Sequence, residues 1–212
     1  MKQIKASVRR QKDVIRDTKK HIINAARHLF SDFSYLGVSM DDIAKKLNIT
    51  KAALYYHFKG KEEIYKKVLD DDFSDLSLLI MEALKETTIE KKLQKLIKNY
   101  LDFGYSEKSL IKAAMIEITT TDSRIKNCII QFRKQIFDMI QTIVEDMITY
   151  KKITREIDSK LLTSLIIGMV DGILLEYSIL NRRIDAKSVS SQISTFILKA
   201  VVQDNPMKEG KM

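Results

Sequence analysis

Ser39-Met40-Asp41-Asp42-Ile43-Ala44-Lys45-Lys46-Leu47-Asn48-Ile49-Thr50-Lys51-Ala52-Ala53-Leu54-Tyr55-Tyr56-His57-Phe58 is the stretch whose reading decides the fold of this chain. Ser39 stands three residues before Asp42, so its hydroxyl can accept from a first-turn amide while the carboxylate favours the positive helix end. That pairing predicts a helix from about Met40 to Leu47. Asn48 tolerates the left-handed backbone that a sharp turn needs, and Thr50 is a good N-cap for a second, short helix from Lys51 to about His57. Ala44 is small enough to let the two helices approach closely. The unit 39–58 therefore reads as a helix-turn-helix with Ile43, Leu47, Ile49, Leu54 and Phe58 inside and Lys51, Ala52, Tyr55, Tyr56 and His57 facing outward.

Outward from this unit the pattern stays helical. Upstream, Asp17-Thr18 looks like a helix start, and Ile22, Ala26, Leu29 and Phe33 form one stripe that ends before Gly37. Residues 1–15, with Lys2, Lys5, Arg9, Arg10 and Lys12 and almost no large apolar side chains, read as a flexible basic arm. Downstream, Gly60 breaks the short helix and Lys61-Glu62-Glu63 opens a long one to about Leu84. Thr87 and Glu90 suggest a capping box for a helix ending at Gly104, and Ser106 a cap for the next. Residues 122–150 are continuously helical in pattern, and Asp158 and Asp185 look like N-caps of two final helices near 159–181 and 186–203. The expectation is an all-α chain of about nine helices. Only 6 Gly and 1 Pro among 212 residues agree with it, because both residues interrupt helices.

Charge locates the working surface. The net charge is +9, and residues 1–68 carry all of it: 16 Lys and Arg against 7 Asp and Glu, with the remainder balanced. A basic excess confined to one segment implies a polyanion partner met by that segment. One cysteine, Cys128, allows no intramolecular disulfide, and its apolar neighbours make it a small core residue. The longest charge-free run, Ser188 to Leu198, is 11 residues, short of the roughly 18 needed for a spanning helix, so no membrane partner is expected, and the lone cysteine with the charged amino terminus leads to the expectation of a cytoplasmic location. His21 and His28 are seven apart and no Cys or His joins them, so no metal and no cofactor are expected. Asp70-Asp71-Asp72 point in different directions on a helix and read as a solvated face.

On the outward face, Lys51 can donate to phosphate or guanine, Tyr55 can meet a thymine methyl or a phosphate, and His57 can donate to a phosphate oxygen, with Tyr56 divided between contact and packing. Ser39 and Thr50 sit at helix starts where amides converge on an anion, and Lys61 opens the next helix in the same way. Ala52 lies on the same exposed face. With these residues, Thr18 to Phe33, Ser39 to Ala44 and Ile49 to Ile64 resemble the amino-terminal DNA-binding domain of the tetracycline-repressor (TetR) family. The resemblance implies a homodimeric transcriptional regulator, usually a repressor, with a phosphate contact at Lys61. It also implies a variable carboxy-terminal domain that binds a small effector and dimerises through its last two long helices. Two positions depart from the family pattern: Ala53 stands where Ser or Thr is frequent, and Ser34 replaces a common Gly. The resulting organisation is an arm over 1–15, a DNA-binding domain over 16–76 and a ligand-binding and dimerisation domain over 77–212.

In the second domain, Tyr100, Phe103, Met115, Glu117, Phe137, Met169 and Tyr177 are the candidate effector-pocket residues, Met being adaptable and the aromatics supplying walls, with Asp171 or Asn181 as further polar groups. The helix from Lys160 to Leu180 is apolar nearly all round and needs cover on opposite sides. A partner subunit is the natural cover, through Ile166, Gly168 and Gly172, with Ile193, Phe196, Ile197 and Ala200 on the final helix. The function expected is a sequence-specific repressor released from an inverted-repeat DNA operator by an apolar or amphipathic small molecule. The alternative is an architectural DNA-binding protein without an effector. An enzyme is not expected, because no nucleophile-base constellation, phosphate loop or metal cluster is visible.

Overall fold

The computed structural model describes residues 2–107, 123–149 and 157–201, and side chains from residue 17 onward except Arg124. Among the described residues it is all-α, with eight helices: α1 Lys2–Phe33, α2 Met40–Leu47, α3 Lys51–His57, α4 Lys61–Leu84, α5 Ile89–Ser106, α6 Ser123–Thr149, α7 Ser159–Ile179 and α8 Ala186–Val201. The helix expected after Ser106 lies outside the described residues. α1 starts at Lys2 rather than near Asp17-Thr18. No Gly or Pro interrupts residues 1–36, so propensity extends the helix through the segment read as an arm.

Local chemistry sets the other ends. Ser39 and Asp42 form the capping box that their spacing implied: the Asp42 amide donates to Ser39 Oγ at 3.2 Å and the Ser39 amide to Asp42 Oδ2 at 2.9 Å. Asn48 closes α2 in the left-handed region, φ 53°, while the Ile49 amide reaches back to the Ala44 carbonyl. Thr50 Oγ1 accepts from the Ala53 amide, Asp158 from the Lys160 and Leu161 amides, and Asp185 from the Ser188 amide. The cap of α5 is Thr88, which accepts from the Lys91 amide, one residue beyond the expected Thr87.

The chain forms two compact units, one from Met1–Ser74 with Glu107–Gln131, the other from Asp75–Ser106 with Phe132–Met212. α4 passes from the first to the second after Ser74. The start of α6 belongs with the first unit. Ile125, Cys128 and Ile129 are buried there, and burial pushes the Cys128 thiol up.

In the first unit, α1 packs on α2 and α2 on α3, around Ile22, Ala26, Phe30, Ile43, Leu54, Phe58, Ile64, Tyr65 and Val68, all buried. Leu47 and Ile49, expected inside, are half-buried. Asp72 corrects the solvated-face reading of 70–72. It is 1% exposed and takes Arg27 Nε of α1 at 2.8 Å on Oδ1, whereas Asp71 stays outside with Lys67 at 3.1 Å. The three carboxylates point apart as expected, and one of them points inward.

In the second unit, α5 packs chiefly on α8 and also on α7. Leu93, Leu96, Ile97, Leu101, Ile140, Ile143 and Val144 are buried to within 1% exposure. By length and composition α7 is apolar enough to cross a membrane, which a search for charge-free runs misses because Asp171 interrupts it. Its buried residues include Thr163 and Asp171, and it packs against α5, as a core helix does.

Candidate nucleic-acid interface and ligand-binding unit

The turn at Asn48 presents α3 with Lys51, Ala52, Tyr55 and Tyr56 exposed; Tyr55 is 48% and Tyr56 75% exposed. Leu54 and Phe58 anchor the helix from below. Tyr56, divided at the outset between packing and contact, is thus the more exposed of the two tyrosines. His57 is half-buried, stacks edge-on against Tyr56 at 5.0 Å, and has a buried Nδ1 with no hydrogen-bond partner among the described residues.

Three of the candidates have protein partners. Lys51 Nζ lies 2.9 Å from Asp41 Oδ2, both side chains half-exposed, and the hydrogen bond to Asp41 raises the Lys51 pKa. Lys61 Nζ donates to the Tyr35 carbonyl at 2.8 Å and sits 4.2 Å from the centre of the Tyr35 ring, so it also secures the loop between α1 and α2. That loop is tight: Ser34 has φ 63°, and a Cβ on Gly37 would lie 2.2 Å from the Phe33 carbonyl oxygen. The left-handed Ser34 accounts for Gly being common there. Ser39 Oγ donates to Asp42 Oδ2 at 2.6 Å, and the hydrogen bonds from Ser39 hold the Asp42 carboxyl below its ordinary value.

In the second unit, α5, α6 and α7 bring together a polar cluster inside an apolar core. Tyr100 Oη donates to Asp171 Oδ1 at 2.8 Å, and Arg133 Nη1 reaches Asp171 Oδ2 at 2.7 Å and Tyr100 Oη at 3.2 Å. Tyr100 and Asp171 are buried, whereas the Arg133 side chain is 35% exposed. Burial, followed by the Asp171 charge, pushes the Tyr100 hydroxyl far above its ordinary range. Arg133 escaped the sequence reading. The signal was there, a guanidinium between Phe132 and the apolar positions Ile136, Phe137 and Ile140.

Of the other pocket candidates, Phe103 is buried, Phe137, Met169 and Tyr177 are half-buried, and Met115 and Glu117 lie outside the described residues. Asn181, at φ 49° and exposed, ends α7 as a turn residue. None of these candidates lines the open cleft that the structure shows on α5 and α8, where Lys91, Lys95, Lys98 and Lys187 gather with Glu86.

The dimer candidates divide by helix face. Ile166 and Ile197 are buried within the unit and Ile193 is half-buried, while Gly168, Gly172, Phe196 and Ala200 are exposed. Leu161, Leu165, Gly168 and Gly172 follow one another at helical spacing along an exposed stripe of α7. A Cβ on either glycine would meet nothing within 4 Å.

Comparison with known proteins matches residues 22–68 to the model of bacterial regulatory proteins of the tetR family and residues 75–200 to that of the YsiA-like protein C-terminal region. The biofilm operon icaADBC HTH-type negative transcriptional regulator IcaR of Staphylococcus epidermidis is 50% identical over 56 residues, 26% of this chain and 30% of that protein. IcaR of Staphylococcus aureus strain Newman is 48% identical over 63 residues, 30% of this chain and 34% of that protein. The matched segment thus takes in about a third of those relatives. Among solved structures, the Bacillus subtilis transcriptional regulator FadR in complex with stearoyl-CoA superposes with TM-score 0.74 at 18% identity, covering 84% of this chain and 97% of that one. AibR in complex with isovaleryl coenzyme A and operator DNA gives 0.70 at 18%, covering 84% and 96%.

Proposed function

Because the chain belongs to the TetR family of bacterial regulatory proteins, we propose that it is a sequence-specific DNA-binding repressor that works as a homodimer in the cytoplasm and is released from an inverted-repeat operator by an acyl-bearing, amphipathic small molecule. The observation that carries this reading is the α2-turn-α3 unit, whose exposed side holds Lys51, Ala52, Tyr55 and Tyr56 on a firmly capped frame. A short helix held that way can enter a major groove, with Lys51 and Tyr55 reaching base edges and Ser39, Thr50, His57 and Lys61 near phosphates. The domain assignment, 16–76 for DNA and 77–212 for ligand and dimer, belongs to this proposal and is supported by the family matches over 22–68 and 75–200.

Dimer formation is assigned to the exposed stripe of α7 with Phe196 and Ala200 of α8, since a second copy would cover apolar surface that the chain leaves open. Ile166 and Ile197 contribute from beneath by packing those helices. For the effector, the acyl-coenzyme A ligands of two proteins sharing this fold indicate the class to try first. The Tyr100–Asp171–Arg133 cluster offers an amphipathic molecule a polar anchor within an apolar unit. No catalytic step belongs to this reading.

Selection of bound duplexes from a randomised pool tests it. A recovered site with two-fold symmetry and half-sites about one helical turn apart is the expected outcome. A pool without dyad symmetry would favour architectural binding. Stearoyl-CoA and isovaleryl-CoA, titrated into the operator complex, should weaken it about 5- to 150-fold if coupling is of ordinary size, and operator DNA should weaken ligand binding equally.

A further inference from the structure

We propose that Asp41 is a specificity-determining residue, whose carboxylate holds the Lys51 ammonium on the DNA-facing side, withholds that charge from arbitrary phosphates and yields it to a correctly placed acceptor in the operator. The proposal rests on the DNA-reading role of α3 given above. Lys51 is the first residue of α3 and Asp41 the second of α2, and their side chains meet at 2.9 Å across the turn with each about half exposed. The neighbouring carboxylate has a different task, because Asp42 is committed to Ser39 through the capping box. Asp41 takes no part in that cap. Its hydrogen bond is to Lys51.

An exposed pair of this kind adds little to stability. Its effect falls on binding, where charge is counted differently in the two modes. Nonspecific affinity comes almost wholly from counterions released as cations meet phosphates, and a lysine already paired with a carboxylate brings no net charge to that exchange. In the operator, a guanine edge offers two acceptors that can replace the carboxylate, so the exchange is compensated only at the right base. Asp41 is then the repulsive element that separates correct from incorrect DNA.

Asp41→Asn in the full chain tests this by fluorescence-anisotropy titration against the selected operator and a random duplex over a series of salt concentrations. Random-duplex affinity should rise about three- to tenfold and its log–log salt slope should steepen by about 1.8, the value for two added phosphate contacts, one from each protomer of the dimer, with a smaller change on the operator. Asp41→Glu, which keeps the charge, should retain the wild-type ratio of operator to random affinity. In a Lys51→Gln background the effect of Asp41→Asn should vanish. An unchanged ratio in Asp41→Asn, or an equal gain with Lys51→Gln present, would overturn the proposal. Wild-type protein that does not prefer its selected operator would instead overturn the DNA-reading role itself.

Discussion

Polar groups are handled in opposite ways by the two units. In the first, the hydrogen-bonded polar residues of α2 and α3 are exposed and their partners lie three to ten residues away: Ser39 with Asp42, Thr50 with Ala53, Lys51 with Asp41. In the second, Tyr100 and Asp171 are buried and 71 residues apart, and Arg133 joins them from a third helix. Water competes with the first set and is excluded from most of the second, so the same kind of bond has unequal weight. A surface that must exchange protein partners for DNA needs bonds that break cheaply. A core that must keep three helices in register needs the reverse. Asp72 with Arg27 is an exception in the first unit, a buried carboxylate tying α4 to α1.

The contrast breaks most readily at Asp171. Asp171→Ala would strand Tyr100 and Arg133, and urea denaturation should show a loss of about 2–4 kcal/mol, below the figure for a fully enclosed pair because Arg133 is partly solvated. A loss under about 1 kcal/mol would mean that the cluster behaves like a surface network.

In the first unit, function should fail before stability does. Lys51→Gln and Tyr55→Ala should each weaken operator binding by about 1–3 kcal/mol and relax sequence preference in competition assays. Their melting temperatures should stay near wild type, since both side chains are about half exposed. Lys61→Ala should act on both counts, lowering affinity for operator and random DNA alike and loosening the Tyr35 loop.

That loop supplies a pair of changes with opposite signs. Gly37→Ala forces a Cβ against the Phe33 carbonyl and should cost about 1–3 kcal/mol. Ser34→Gly relieves a left-handed residue, and after the greater chain entropy of glycine it should gain at most about 1 kcal/mol. Thermal melts of both variants check the signs.

Acid titration gives the smallest effect. The Asp42 carboxyl is held low by Ser39, so its contribution is present above the ordinary carboxylate range and is lost as pH falls through it. Asp42→Asn should therefore lower stability slightly near neutral pH, leave it unchanged at strongly acid pH, and so flatten the acid limb of the stability curve.

Helix ends were legible wherever one side chain met an amide two or three residues away. Ser39, Thr50, Asp158 and Asp185 each cap the helix their position announced, and Asn48 turns as its side chain allows. Local spacing misplaces an end where neighbours offer the same chemistry, as with Thr88 in place of Thr87, or where no breaker marks it, as at the start of α1. Local spacing is also silent where a partner comes from far along the chain. Nothing near Asp72 announces Arg27, and nothing near Lys61 announces the Tyr35 carbonyl.

The sequence by itself determined the all-α architecture, the helix-turn-helix over 39–58, the basic character of its segment and the exposed identity of Lys51, Ala52, Tyr55 and Tyr56. These depend on backbone propensity, capping and periodicity, which act within a few residues. Only the tertiary structure decided which of three consecutive aspartates is buried, that Arg133 completes a cluster with Tyr100 and Asp171, that Ile166 and Ile197 turn inward while Phe196 stays exposed, and that Lys51 is held by Asp41. Each of those outcomes is a choice of partner among side chains on different helices, and desolvation energies that depend on packing, rather than local spacing, make that choice.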